Sequence, residues 1–85
     1  MRQYTKDKAE EIACFSENLR LLRTLENKTL RDVASSVGLT ATSLNSYENG
    51  SKTPLLSNAL KLAEYYGVTV DDLCHRHFFE RSEHK

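Results

Sequence analysis

A run of small polar side chains near the middle of the chain is the most suggestive feature for chemistry. Residues 40–50 read TATSLNSYENG. At about 100° per residue of a helix, one arc of about 140° collects five of these side chains, which are Ala41, Thr42, Asn45, Ser46 and Asn49. The arc holds hydrogen-bonding groups and no acid, so it suits a major groove about 12 Å wide. Short polar arcs are also common on surface helices, so the arc by itself is compatible with a DNA-reading helix and with an ordinary solvent-exposed one.

Other groupings of reactive residues have ordinary explanations. Residues 74–77 read CHRH, and Cys14 and His84 lie elsewhere, but neither the C-x-x-C nor the H-x-x-x-H spacing of common zinc sites is present. Asp71 and Asp72 resemble a catalytic carboxylate pair, yet acids are favoured in the first turn of a helix. Because no catalytic set or phosphate-binding glycine loop occurs, we expect no enzyme activity, metal or cofactor.

Composition describes one small globular domain of balanced charge. The 85 residues weigh 9.7 kDa and are 39% hydrophobic and 28% charged. Twelve Lys and Arg balance twelve Asp and Glu, so DNA binding would depend on how charge is distributed. Two well-separated cysteines predict free thiols, and no stretch reads as a signal peptide or a membrane span. A cytoplasmic location is expected.

Capping residues predict two short helices in the middle of the chain. Thr29 is a good N-cap, and Asp32 stands three residues later, as in a capping box. Gly38 suits the left-handed position that ends a helix, Thr40 suits the next N-cap, and Gly50 closes that helix. Two short helices joined by a glycine turn form the helix-turn-helix arrangement.

Apolar stripes predict the flanking helices. In the first, Phe15, Leu19, Leu22 and Glu26 are helically spaced with Leu25 close by, and the stripe continues back to Ile12. Its start is left open, either near Ser16 or as far back as Thr5. After Pro54 a fourth helix ends at Gly67, and its predicted buried side chains are Leu56, Ala59, Leu60, Ala63 and Tyr66. A fifth helix follows Thr69, with Val70 and Leu73 on its apolar face.

The fold class is therefore all-α, with five short helices. We divide the chain into an N-terminal extension (1–14), the folded domain (15–74) and a C-terminal tail (75–85) with a possible role in dimerisation.

Over about residues 15–73 the chain resembles the phage-repressor/Cro-like helix-turn-helix family, also called the XRE family. The resemblance rests on Arg23, Ala34, Gly38, the YENG of 47–50, Pro54 and the GVT of 67–69. It implies a five-helix lambda-repressor-like DNA-binding domain whose third helix enters the major groove. It also implies an ion pair between Arg23 and Glu48.

The resemblance assigns two sets of DNA contacts. Side chains that would read bases are Ala41, Thr42, Asn45 and Ser46. Side chains or backbone groups that would contact phosphates are Lys28, Thr29, Arg31, Thr40, Asn49 and Lys52. The family usually has Gln at the position of Leu30, and often Gln or Arg at that of Ala41. Asn45 is therefore the main direct reader, and DNA shape would supply part of the specificity.

Phe78 and Phe79 lie in an otherwise charged tail and would either fold back on the core or become buried in a partner. Family members commonly dimerise through the region after the fourth helix, which implies an interface formed by Tyr65, Leu73, Phe78 and Phe79. The resulting hypothesis is a transcriptional regulator, most simply a repressor, that binds a near-palindromic DNA operator as a homodimer. The alternative is a protein-interaction module, such as an antitoxin or assembly subunit, with weak or no DNA binding.

Overall fold

The computed structural model describes the backbone of residues 4–75 and the side chains of residues 10–75. This part of the chain contains five helices and no strand: α1 (Tyr4–Leu25), α2 (Leu30–Val37), α3 (Ala41–Glu48), α4 (Leu56–Tyr66) and α5 (Val70–Leu73). The predicted all-α, five-helix architecture is confirmed. None of the described helices is both long and apolar enough to cross a bilayer.

The first helix is longer than expected. It runs without a break for 22 residues from Tyr4, so the earlier of the two predicted starts is close to the observed one. At about 1.5 Å per residue, α1 is about 33 Å long, and the description of all five helices as short is wrong for this one. Its C-terminal half packs against α3 and α5.

The predicted helix ends are confirmed by the hydrogen bonds that form them. The Thr29 hydroxyl accepts a bond from the Asp32 backbone N–H at 3.0 Å, and the Asp32 carboxylate accepts one from the Thr29 N–H at 3.1 Å. Gly38 ends α2 at φ 77°, a left-handed conformation that costs glycine little. Thr40 caps α3 through the Ser43 N–H at 3.0 Å. The turn between α2 and α3 is thereby fixed by local bonds.

The core lies between α1, α3, α4 and α5 and includes one face of α2. Its fully buried side chains are Leu19, Val33, Leu44, Leu62 and Leu73. The prediction that Leu56 and Leu60 of α4 are buried is wrong. Leu56 is 70% exposed and Leu60 is also exposed, while Leu62 is fully buried in the core. Leucines occur on more sides of α4 than the core covers. The spacing of apolar residues therefore predicted a face of the helix that is rotated away from the buried one. In α1, Leu25 and Ile12 are likewise exposed.

Tyr66 differs from the other described residues with buried polar side-chain atoms, which have hydrogen-bond partners. Its hydroxyl is buried and has no hydrogen-bond partner among the described residues. Burial raises the pKa of Tyr66, and the carboxylates of Glu48 and Glu26 act in the same direction. A phenol that is desolvated without a partner destabilises the folded state relative to the unfolded one.

We therefore expect Tyr66→Phe to raise the free energy of unfolding by about 1 kcal/mol at pH 7. In the unfolded chain this phenol ionises near pH 10, whereas the folded chain keeps it protonated to higher pH. The parent should lose stability as the pH rises above 10, and the variant should lose less. Urea unfolding between pH 7 and 11 measures both effects.

Tyr65→Phe is the matched control, since the Tyr65 hydroxyl has a partner in Lys28 at 3.2 Å. It should not stabilise the protein at pH 7. A destabilised Tyr66→Phe variant would show that the hydroxyl has a compensating interaction.

Candidate nucleic-acid interface

Helix α3 has one face in the core and the other in solvent. Leu44 is fully buried, and Tyr47 and Glu48 are buried beside it. The Tyr47 hydroxyl accepts a hydrogen bond from Asn58 Nδ2 at 3.1 Å, which ties α3 to α4. These contacts fix the rotation of α3 about its own axis, and so they decide which side chains face outward.

The outward face carries the side chains predicted to read bases. Thr42 and Asn45 are exposed, and Ala41 and Ser46 are half-buried. The side chains of Thr42, Asn45 and Ser46 make no hydrogen bond within the described part of the chain. Their donors and acceptors are therefore available to a ligand.

The six residues predicted to contact phosphates are all exposed: Lys28, Thr29, Arg31, Thr40, Asn49 and Lys52. Thr29 and Thr40 stand at the N-termini of α2 and α3, where backbone N–H groups and the helix dipole favour an anion. Both hydroxyls already accept a capping bond, and the Thr40 hydroxyl also donates to Ser43 Oγ at 3.0 Å.

The segment after α3 is held close to that helix. The Lys52 N–H donates to the Ser46 carbonyl at 3.2 Å, and the Ser51 N–H donates to Asn49 Oδ1 at 2.9 Å. These two bonds fold residues 49–52 back against the end of α3. Lys52 is thereby placed close to the outward face of α3. Lys28 and Arg31 line a separate groove next to α2.

Arg23 and Glu48 form a two-bond ion pair. Arg23 Nε lies 2.8 Å from Glu48 Oε2, and Nη2 lies 2.9 Å from Oε1. The Glu48 side chain is 3% exposed and that of Arg23 is 19% exposed. Hydrogen bonding to Glu48 raises the pKa of Arg23, so the guanidinium stays charged. The structure thus joins the two residues that the resemblance pairs, and the acid on α3 is neutralised internally.

The same guanidinium makes a third bond that the sequence did not reveal. Arg23 Nη1 donates to the Lys28 carbonyl at 2.9 Å, in the turn between α1 and α2. One side chain therefore connects α1, α3 and the turn that precedes Thr29. The turn itself reverses at Asn27, whose φ of 57° is left-handed.

Known proteins are similar to this chain in sequence. A family profile described as helix-turn-helix matches residues 19–73. The chain belongs to the XRE-like helix-turn-helix family. It is 35% identical over 60 residues to the transcriptional repressor RstR of the cryptic phage CTXphi in Vibrio cholerae serotype O1, covering 71% of this chain and 54% of that protein.

A second similarity is to a protein of another organism. An uncharacterized HTH-type transcriptional regulator, MJ0272 of Methanocaldococcus jannaschii, is 33% identical over 55 residues, which are 65% of this chain and 83% of the relative. The helix-turn-helix chain spans about half the length of the RstR repressors it matches. The family resemblance found in the sequence is confirmed.

Electrostatics on the recognition side of this helix-turn-helix chain favour an anion. Three cations, Lys28, Arg31 and Lys52, are exposed there, against two acids, Asp32 and Glu26, whose charges both act on Lys28. Hydrogen bonds from the Thr29 backbone and side chain lower the pKa of Asp32, which is therefore ionised at neutral pH. A local positive excess exists within a chain of zero formal net charge.

The residues expected at a dimer interface separate into three cases. Leu73 is fully buried in the chain's own core, so its assignment to an interface is wrong. Tyr65 is half-buried; its hydroxyl accepts a bond from Lys28 Nζ at 3.2 Å, and its ring lies 5.7 Å from that ammonium. Phe78 and Phe79 lie outside the described residues. Only Tyr65 of this set is therefore placed at the surface by the structure.

The cysteines and histidines of the helix-turn-helix chain do not assemble into a site within residues 10–75. Cys14 is buried and Cys74 half-buried, and both are free thiols. Nowhere in that range do three or more His, Cys, Asp or Glu side chains come close enough to hold a metal ion. His75 Nδ1 lies 2.8 Å from the Asp71 carbonyl, while His77 and His84 lie outside the described residues.

Proposed function

We propose that the chain binds duplex DNA in a sequence-dependent way and regulates transcription, acting as a repressor. The observation that carries this proposal is α3, whose outward face has unpaired hydrogen-bonding side chains while its inner face is fixed by Leu44, Tyr47 and Glu48. The names of the relatives, a transcriptional repressor and a transcriptional regulator, support it.

In this proposal α3 lies in the major groove. Asn45 is suited to two hydrogen bonds with an adenine edge, because its amide offers a donor and an acceptor side by side. Thr42 and Ser46 flank it with hydroxyls that bond to several bases, and Ala41 offers only apolar contact, as to a thymine methyl. One strong reader leaves part of the specificity to DNA shape.

Phosphate contacts would surround this face and set the register of α3 on the duplex. The first turns of α2 and α3 supply backbone N–H groups next to their caps at Thr29 and Thr40, since the Thr29 N–H itself already donates to the Asp32 carboxylate. Lys28 and Arg31 supply charge beside α2, Lys52 supplies it after α3, and Asn49 adds a polar contact. These groups carry affinity but little sequence information.

We further propose that the active form is a homodimer on a near-palindromic operator. Two recognition helices separated by one DNA turn, about 34 Å, would contact matching half-sites. Tyr65 is the surface residue available to such an interface among those expected from the sequence.

The salt dependence of duplex binding tests both proposals. Three exposed cations per chain predict a slope of log K against log salt of about −2.7 for a monomer and about −5.4 for a dimer, at about −0.9 per neutralised phosphate. Selection from a random duplex library would first supply the operator, and titrations between about 50 and 200 mM salt would then give the slope.

A slope near the monomer value would overturn the homodimer and leave DNA binding intact. Negligible duplex affinity even at the lowest salt would overturn the regulator proposal and leave the protein-interaction hypothesis.

A further inference from the structure

An apolar groove lies between the middle of α1, the start of α4 and α5. We call it the α1/α4/α5 groove, and its walls include Ile12, Phe15, Leu56, Ala59, Val70 and Cys74. Leu56 and Ile12 are both exposed along it. No residue assigned to DNA contact lines this groove. Covering exposed apolar surface of this kind with another apolar group lowers the free energy.

The point where the chain leaves the described structure is fixed beside this groove. Asn18 is buried, and its Nδ2 donates to the Leu73 carbonyl at 2.7 Å and to the His75 carbonyl at 3.0 Å. The two bonds hold the last described residues against α1. Cys74, between the two carbonyls, is itself part of the groove wall.

The ten residues that follow His75 read RHFFERSEHK, and Phe78 and Phe79 are their only apolar side chains. Three to four extended residues reach about 10–14 Å from His75. Ile12 stands six positions before Asn18, about 9 Å along α1. The pair is therefore within reach of the groove.

We propose that Phe78 and Phe79 fill the α1/α4/α5 groove of their own chain. A linker of two or three residues from a fixed point gives the phenyl rings an effective local concentration of millimolar order or more, which a second copy attains only at high protein concentration. Filling this groove would make the pair unavailable to a dimer interface. The proposal does not depend on DNA binding.

A double-mutant cycle in the full chain tests the contact. Leu56→Ser and Phe79→Ser should each lower the melting temperature by about 4–8 °C, the shift for a domain of this size when about 1 kcal/mol is lost. The combined variant should lose clearly less than their sum, because the two changes remove the same contact. As a control, Leu25→Ser changes a leucine that is 66% exposed on α1 and does not line the groove, and it should add to Phe79→Ser.

Thiol accessibility gives a second readout. Cys74 lines the groove, so Phe78→Ser combined with Phe79→Ser should raise its rate of alkylation by a maleimide several-fold. Cys14 is buried and serves as an internal reference for global opening, and its rate should not change. Ser82→Ala, a change in the polar part of the tail, should leave both rates as in the parent.

Additive losses in the cycle, together with an unchanged Cys74 rate, would overturn the proposal. The coupling energy between Leu56→Ser and Phe79→Ser could instead grow with protein concentration, together with a dimeric mass by light scattering that Phe79→Ser abolishes. That result would show that a second copy fills the groove, and it would overturn the same-chain assignment. Duplex affinity is measured on the same variants and should stay at the parent value, so a failure here is distinct from a failure of DNA binding.

Discussion

Replacing Arg23 with alanine is expected to lower the free energy of unfolding by about 3–5 kcal/mol, the largest single loss anticipated in this chain. The change leaves the Glu48 carboxylate buried without its partner and removes the donor to the Lys28 carbonyl. A domain of 85 residues is stable by about 4–13 kcal/mol in total. The variant should therefore be partly unfolded at moderate temperature.

The loss should be smaller when the other partner is changed. Glu48→Gln keeps an oxygen that accepts from Arg23, and the partly exposed guanidinium remains in reach of water, so we expect a loss of about 1–3 kcal/mol. Arg23→Lys should fall between the two, because an ammonium cannot make the paired bonds of a guanidinium. Urea unfolding followed by circular dichroism at pH 7 ranks the three variants.

The double variant Arg23→Met with Glu48→Leu separates a stranded charge from lost packing. It should be more stable than Arg23→Ala alone, since no charge is left buried. An Arg23→Ala variant that unfolds like the parent, or a double variant that is the least stable of all, would contradict the argument.

Local interactions account for what the sequence predicted well. The caps at Thr29 and Thr40 and the stop at Gly38 each depend on residues no more than about four positions apart, so composition at those positions was sufficient. The outward face of α3 was predicted for a similar reason, because Leu44 and Tyr47 leave only one side of a short helix to the core.

Tertiary contacts account for what the sequence could not predict. The clamp of Asn18 on the carbonyls of Leu73 and His75 joins residues 55 and 57 positions apart, and nothing in local spacing indicates it. On α4, leucines lie on several sides of the helix, so the sequence did not indicate that Leu62 is the one that neighbouring helices bury. The Arg23–Glu48 pair came from the family resemblance, since two oppositely charged residues 25 positions apart would not have identified each other.

Asn45→Ala is expected to weaken binding to the selected operator about 5- to 150-fold, or about 1–3 kcal/mol, and to relax the preference at one base pair in each half-site. Its side chain is exposed and unpaired within the described chain, so the loss should not arise from unfolding. Competition titrations against operators altered at each position measure both the loss and the relaxation.

Comparison with Lys52→Ala separates base recognition from phosphate contact, which we call anchoring. It should weaken all duplexes alike and reduce the magnitude of the salt slope by about 0.9 per chain, because one phosphate contact is lost. Lys61→Ala removes an exposed cation on α4 and should change neither quantity. If Asn45→Ala instead weakened every sequence equally, with unfolding unchanged, Asn45 would be an anchoring residue like Lys52. Sequence choice by this helix would then have to come from DNA shape or from the flanking hydroxyls of Thr42 and Ser46, since no other exposed amide lies on the outward face before Asn49.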